Sequence, residues 1–150
     1  MNVNLFESLE VEAFKNLLRA HAAITRELDR ELVTEHGLTI NDYEVLLRLS
    51  RAPGRILRRV DLAQQVLLTP SGITRLLEGL QRSGYVEKAS CDSDARVVYA
   101  RLTDPGLVKL EEASRDHFAS VQKLFSERFS DEELETLREF LERLQPETSD

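Results

Sequence analysis

Asp61–Thr103, DLAQQVLLTPSGITRLLEGLQRSGYVEKASCDSDARVVYARLT, decides how this chain is read. It predicts two short helices joined by a turn, near 59–66 and 70–83, and then a β-hairpin. Thr69-Pro70 opens the second helix, with threonine as N-cap and proline at the first helical position, where its missing N–H is harmless. Ile73, Leu76, Leu77 and Leu80 supply its buried stripe, and Gly84 ends it in the left-handed conformation that glycine tolerates. Tyr85–Ala89 and Val97–Leu102 are β-branched or aromatic and partly alternating; they bound the polar loop Ser90–Ala95 as a hairpin. A helix pair followed by a charged hairpin is the layout of a winged helix-turn-helix, which docks one helix in a DNA groove.

Outward from this stretch the pattern is helical on both sides. From about 5 to 35, Phe14, Leu17, Leu18, His21, Ile24, Leu28 and Leu32 recur at spacings of three and four, and Gly37 is the expected stop. Thr39 caps the next helix with Asp42 three residues on, a capping box with the acid one carbon short. Tyr43, Leu46 and Leu47, with Leu49 as a further candidate, give that helix a buried face, and Ala52-Pro53-Gly54 breaks it. Beyond the hairpin, Thr103 with Asp104-Pro105 opens a fifth helix carrying Leu107, Leu110, Phe118, Val121 and Phe125. Ser130 with Glu133 forms a capping box for a last helix with Leu134, Leu137, Phe140, Leu141 and Leu144. The expected fold is mainly α with a small β-hairpin, a winged helix-turn-helix with flanking dimerisation helices. It forms one domain over 1–150, with a winged-helix lobe at about 38–103 and a dimerisation lobe at about 5–35 and 104–145. The flanking helices carry more apolar surface than such a lobe can cover, so a homodimer is expected.

A chain of 150 residues can bury roughly 70% of the surface it exposes when unfolded. Its apolar runs are only a few residues long, so no membrane span is expected. MNVNLFESLE lacks a basic segment followed by an apolar core, and Cys91 is the single cysteine; both fit a reducing, cytoplasmic setting. The net charge of −7 looks wrong for a DNA binder until the chain is divided. Residues 51–103 hold nine Lys/Arg against five acids, and the flanks hold eleven against twenty-two. A basic contact face on an acidic body is the implied arrangement.

A helix that enters the major groove needs a narrow N-terminal half, so that its backbone can approach base edges. Ser71, Gly72 and Thr74 are small, the free N–H groups at the helix start suit a phosphate, and Arg75 can bind a guanine edge bidentately or a phosphate. Two residues apart at the end of the hairpin loop, Asp94 can hold Arg96 extended, as suits a narrow minor groove. The expected DNA-contacting set is Arg58, Arg59, Thr69, Pro70, Ser71, Gly72, Thr74, Arg75, Arg82, Asp94 and Arg96. Capping by Thr69 and Ser71, and an ordinary exposed ion pair between Asp94 and Arg96, account for the same residues taken singly. Their combination argues for DNA.

Over Leu38–Leu110 the chain resembles the DNA-binding lobe of the multiple antibiotic resistance regulator (MarR) family, and its flanking helices resemble that family's dimerisation lobe. The matching residues are Leu62-Ala63, Thr74-Arg75-x-Leu77-x-x-Leu80, Gly84-Tyr85-Val86, Asp94-x-Arg96 and Leu102-Thr103-x-x-Gly106. The resemblance implies a homodimer on double-stranded DNA, with helix 70–83 in the major groove and the wing in the adjacent minor groove. It also implies control by a small aromatic or anionic effector held between the two lobes; helical phase nominates Phe14, Leu18, His21 and Tyr43 for its wall, and a packed core explains the same four. Two departures stand out: Arg58 replaces the usual Ser/Thr cap of the motif's first helix, and Lys88 stands where arginine is common, keeping the charge without the fork.

No catalytic grouping occurs, and no cofactor or metal site is expected. His21, His36 and His117 are far apart in sequence, without a cysteine partner or a carboxylate at metal-ligand spacing, and do not reproduce the family's zinc-sensing branch. His36 is expected at a helix C-terminus, where the dipole favours it. Cys91 lies near Asp92 and Asp94, which do not favour a thiolate, and no cysteine stands in the first helix, where the peroxide-sensing branch carries its own. The expected function is a dimeric transcriptional regulator, a ligand-responsive repressor on a pseudo-palindromic site. A winged-helix module that binds protein instead of DNA, and a regulator without a ligand, remain as alternatives.

Overall fold

The computed structural model describes residues 7–91 and 94–147, and the backbone alone of Cys91, Asp94 and Ala95. Six helices and three short strands follow one another as α1 (Leu9–His36), α2 (Ile40–Arg51), β1 (Ile56–Arg58), α3 (Arg59–Gln65), α4 (Pro70–Arg82), β2 (Val86–Cys91), β3 (Asp94–Leu102), α5 (Asp104–Ser126) and α6 (Asp131–Glu142). No helix of the described residues is long and apolar enough to cross a membrane.

Local chemistry sets most of these boundaries. Ser8 caps α1 by accepting from the Val11 N–H, and Gly37 closes it at φ 67°, donating to Leu32 and Val33 carbonyls. The capping box of α2 is complete: Thr39 Oγ1 accepts from Asp42 N at 3.0 Å, and Asp42 Oδ2 accepts from Thr39 N at 2.9 Å. The shorter acid therefore suffices. Ser130 and Glu133 form the same reciprocal pair at α6, and those hydrogen bonds hold the Glu133 carboxyl below the usual carboxylate range. Thr69 and Thr103 cap α4 and α5, each followed within two residues by proline.

The core lies under α2. Val45, Leu46 and Leu49 are completely buried, packed with Leu38, Leu62, Ile73, Leu80, Val86, Leu102, Leu110 and Ala113. Each such aliphatic side chain contributes roughly 1.5–3 kcal/mol relative to exposure. Leu49 thus belongs to the buried face of α2 as firmly as Leu46 does.

The sheet differs from a plain hairpin. Ile56–Arg58 adds a third strand, antiparallel to β3, giving the order β1-β3-β2. Three residues, one position beyond Ala52-Pro53-Gly54, are too few for periodicity to register, and β1 exists because β3 offers it an edge. The strands of the wing also run further than expected. Cys91 pairs with Asp94 in register, after an irregularity between Ala89 and Cys91, so both belong to strands and not to an open loop. The remaining expected loop residues, Asp92 and Ser93, lie outside the described residues.

One close approach locks the wing to α5. Gly106 is buried, and a Cβ placed there would overlap the Tyr85 carbonyl oxygen and come within 2.8 Å of Leu102 Cδ1. Nothing larger than glycine fits without moving the backbone. Gly106→Ala is therefore expected to destabilise the chain by roughly 1–3 kcal/mol, read as a lower urea midpoint with an unchanged slope. An unaltered midpoint would contradict the steric account.

Candidate nucleic-acid interface

The surface of α4 follows from its cap and its period. Thr69 Oγ1 accepts from Gly72 N at 3.0 Å and lies 3.3 Å from Ser71 Oγ, while Thr74 Oγ1 donates to the Pro70 carbonyl at 2.8 Å. The first turn is thus fixed by its own small side chains. Ile73, Leu77 and Leu80 face the core. Ser71, Arg75, Glu78 and Arg82, spaced four, three and four, are all exposed and share the opposite face. That face offers small residues at the helix start, one arginine a turn later and another at the far end, with Glu78 between them. A Cβ on Gly72 would come to 3.1 Å from Thr69 Oγ1, so the glycine lets the capping threonine lie close against the helix.

The flanking arginines divide. Arg58 has no capping role and instead binds Asp61 bidentately, at 2.8 and 3.0 Å. That hydrogen bond and the carboxylate's charge raise the guanidinium's pKa and orient it along the start of α3. Arg59 borders the narrow cleft between α4 and the root of the wing, together with Thr74, Gln81, Lys88 and Tyr99. Arg96 is exposed on β3. The Asp94 side chain, and with it the expected Asp94–Arg96 ion pair, lies outside the described residues, as does that of Cys91.

The four residues nominated for an effector wall do not meet within one chain. Phe14, Leu18 and His21 are exposed on α1. Tyr43 is 3% exposed; its hydroxyl lies 3.0 Å from Ser114 Oγ and its ring 4.6 Å from that of His117, centre to centre. Helix α2 meets α1 at Asp29, whose carboxylate accepts from Ile40 N at 2.8 Å, about 12 Å of helix axis beyond His21. Tyr43 therefore pairs with α5 and not with His21. Nothing local in the sequence signals those partners, because they lie about seventy positions away.

Comparison with known proteins gives this geometry its context. Residues 36–97 match the family model described as MarR family. The transcriptional regulator AbsC of Streptomyces coelicolor, itself of that family, is 30% identical; the alignment covers 88% of each chain with a TM-score of 0.77. The chain belongs to the MarR family. As a member it is a winged-helix, DNA-binding regulator of transcription and not an enzyme. Sco3205 of Streptomyces coelicolor, a family member solved in complex with DNA, is 26% identical over 95% of this chain and 92% of its own, with a TM-score of 0.81. The transcriptional repressor YetL of Bacillus subtilis is 32% identical over 112 residues, 72% of this chain and 66% of the repressor.

The matched segment runs from the end of α1 into β3, and so contains the whole of α3, α4 and β2. Within it, Thr69 caps the start of α4 by accepting from Gly72 N. Thr69→Ala is expected to cost about 1 kcal/mol of stability through loss of the cap, whereas Thr69→Ser should restore most of it. Equal melting temperatures for wild type and Thr69→Ala would show that the cap does not hold the helix start.

Proposed function

We propose that this MarR family regulator acts as a homodimeric repressor that binds a pseudo-palindromic operator, with α4 in the major groove and the β2–β3 wing in the minor groove. The observation that carries the reading is the exposed Ser71–Arg75–Arg82 face of α4, set beside Arg59 and Lys88 at the root of the wing. Small residues at the helix start permit close approach of backbone N–H groups to phosphate. Arg75 is assigned to a base edge and Arg96 to the backbone or minor groove. Thr69, Pro70, Ser71, Gly72 and Thr74 form the narrow entry, while Arg58, Arg59 and Arg82 supply positive charge around it.

Gel shifts against DNA flanking the protein's own gene test this assignment and separate it from a protein-binding winged helix. Affinity should fall steeply with salt, by a log–log slope of about 0.9 for each phosphate neutralised. Arg96→Ala should weaken binding to all sequences alike. Arg75→Ala should relax base preference, at roughly 1–3 kcal/mol of discrimination. Unchanged affinity and preference in both variants would overturn the reading.

The dimer is supported by what a single chain leaves uncovered. Phe14 is 58%, Leu18 51%, Phe118 51%, Phe140 52% and Leu144 70% exposed, and α6 contains no fully buried residue. We assign α1, the later part of α5 and α6 to the contact between copies, which places the two α4 helices on half-sites about 34 Å apart. Leu137→Glu, introducing a charge in the α6 stripe, should yield monomers or aggregates in sedimentation. A monodisperse, folded wild-type monomer at micromolar concentration would refute the dimer.

A response to a small aromatic or anionic effector belongs to the same proposal, with one change. Since Tyr43 is buried, the accessible part of the nominated wall is Phe14, Leu18 and His21, on the stretch of α1 assigned to the dimer contact. Aromatic acids are the probes of choice. They should raise the melting temperature and release DNA in wild type but not in His21→Ala.

A further inference from the structure

The seam between the last turns of α1 and the middle of α5 contains a group of side chains that DNA binding and dimerisation leave unused. His36, the final residue of α1, places Nε2 2.8 Å from Asp116 Oδ2. Glu35 joins them, and one potential ligand atom from each of the three lies within 4.8 Å of the others. The same small cavity is bordered by Glu31 and His117. Glu31 Oε2 and His117 Nδ1 are both shielded from solvent and have no hydrogen-bond partner.

Two orphaned polar atoms on one cavity wall call for an occupant, because an unsatisfied buried group costs about 1–3 kcal/mol. Size limits what it is. The cavity measures about 10 Å³, roughly one water-sized sphere, so an aromatic effector does not fit. Charge points further: three carboxylates and two imidazoles border the space, with no lysine or arginine among the bordering residues. Lys123 and Arg128 border the adjoining cavity, which shares Glu31.

We propose that this seam binds a divalent transition-metal ion of the zinc class through His36, Glu35 and Asp116, with a metal-bound water facing Glu31 and His117. Mixed imidazole and carboxylate donors are the set that zinc and its first-row neighbours accept, at about 2.0–2.2 Å. Tetrahedral geometry at those lengths separates ligand atoms by about 3.3 Å. The His36–Asp116 contact must therefore open by roughly half an ångström and Glu35 swing in, movements open to the exposed carboxylates of Glu35 and Asp116. Bound there, the ion would clamp the end of α1 to α5, just before the turn into α2.

The proposal is separate from the DNA-binding reading, and its test uses no DNA. The untagged full-length protein is stripped with chelator, loaded with Zn²⁺ or Co²⁺, and exhaustively dialysed. Wild type should retain about one ion per chain, display the visible absorption of nitrogen- and oxygen-ligated tetrahedral Co²⁺, and melt at a higher temperature when loaded. His36→Gln and Asp116→Asn should each abolish retention while keeping the wild-type helical circular dichroism. His117→Gln should weaken affinity roughly 10–100-fold, as expected for a group that orients bound water. Glu147→Gln, which alters an exposed carboxylate beyond α6, should leave binding unchanged. Absence of stoichiometric retention would mean that a water fills the cavity and would overturn the proposal. So would retention that survives in either His36→Gln or Asp116→Asn, or that is lost in Glu147→Gln.

Discussion

The joint between the end of α4, the root of the wing and the start of α5 is the constraint on which the rest of the winged lobe depends. Thr103 serves it twice. Its hydroxyl accepts from Gly106 N at 3.1 Å as the cap of α5, and donates to the Gly84 carbonyl at 2.6 Å, just past the end of α4. The Thr103 N–H reaches the Tyr85 carbonyl at 3.1 Å, against which Gly106 packs. Gly84 turns the chain out of α4 at φ 80°, a conformation other residues adopt only at a cost. Helix α4, the wing and the long fifth helix thus meet at a few backbone atoms.

The two halves of the chain spend their apolar residues differently. The winged lobe has a closed core: α2 is buried against α4, the sheet and the first half of α5, and its Leu46 and Leu49 see no solvent. The first half of α1 and all of α6 have well-formed caps and a clear apolar stripe, yet they bury little within one chain. Caps and helix propensity define where a helix forms but seldom stabilise it alone in water. Their uncovered stripes are the surfaces assigned above to the contact between copies.

Charge follows the same division. Residues 51–103 carry the surplus of arginine, and the acidic flanks carry the negative balance of the molecule. Several basic side chains in the winged lobe are already oriented by acids, Arg58 by Asp61 and Arg101 by Glu87, whereas Arg75 and Arg82 stand on the exposed face of α4. Exposed pairs of this kind contribute little to stability. Their effect is on geometry, holding charge in position before a polyanion arrives, while the acidic body disfavours contact through the wrong face.

Sequence alone determined the features whose physics is local. Thr39 with Asp42, Ser130 with Glu133, and the threonine caps Thr69 and Thr103 each satisfy backbone donors within one turn, so they act wherever they occur. The helical period likewise assigned Ile73, Leu77 and Leu80 to the core and left Arg75 outside, and the Asp94-x-Arg96 and Leu102-Thr103-x-x-Gly106 patterns marked the family. Tertiary structure decided what depends on distant partners. β1 is a strand only because β3 lies beside it. Tyr43 turned to Ser114 and His117 and not to His21, because α5 fills the space behind α2. His36 and His117, eighty-one positions apart and unremarkable singly, came to border one cavity with three carboxylates when α1 packed on α5. Spacing along a chain encodes contacts across one or two helical turns; a site assembled from two helices is fixed by their packing, and appears only when the fold brings them together.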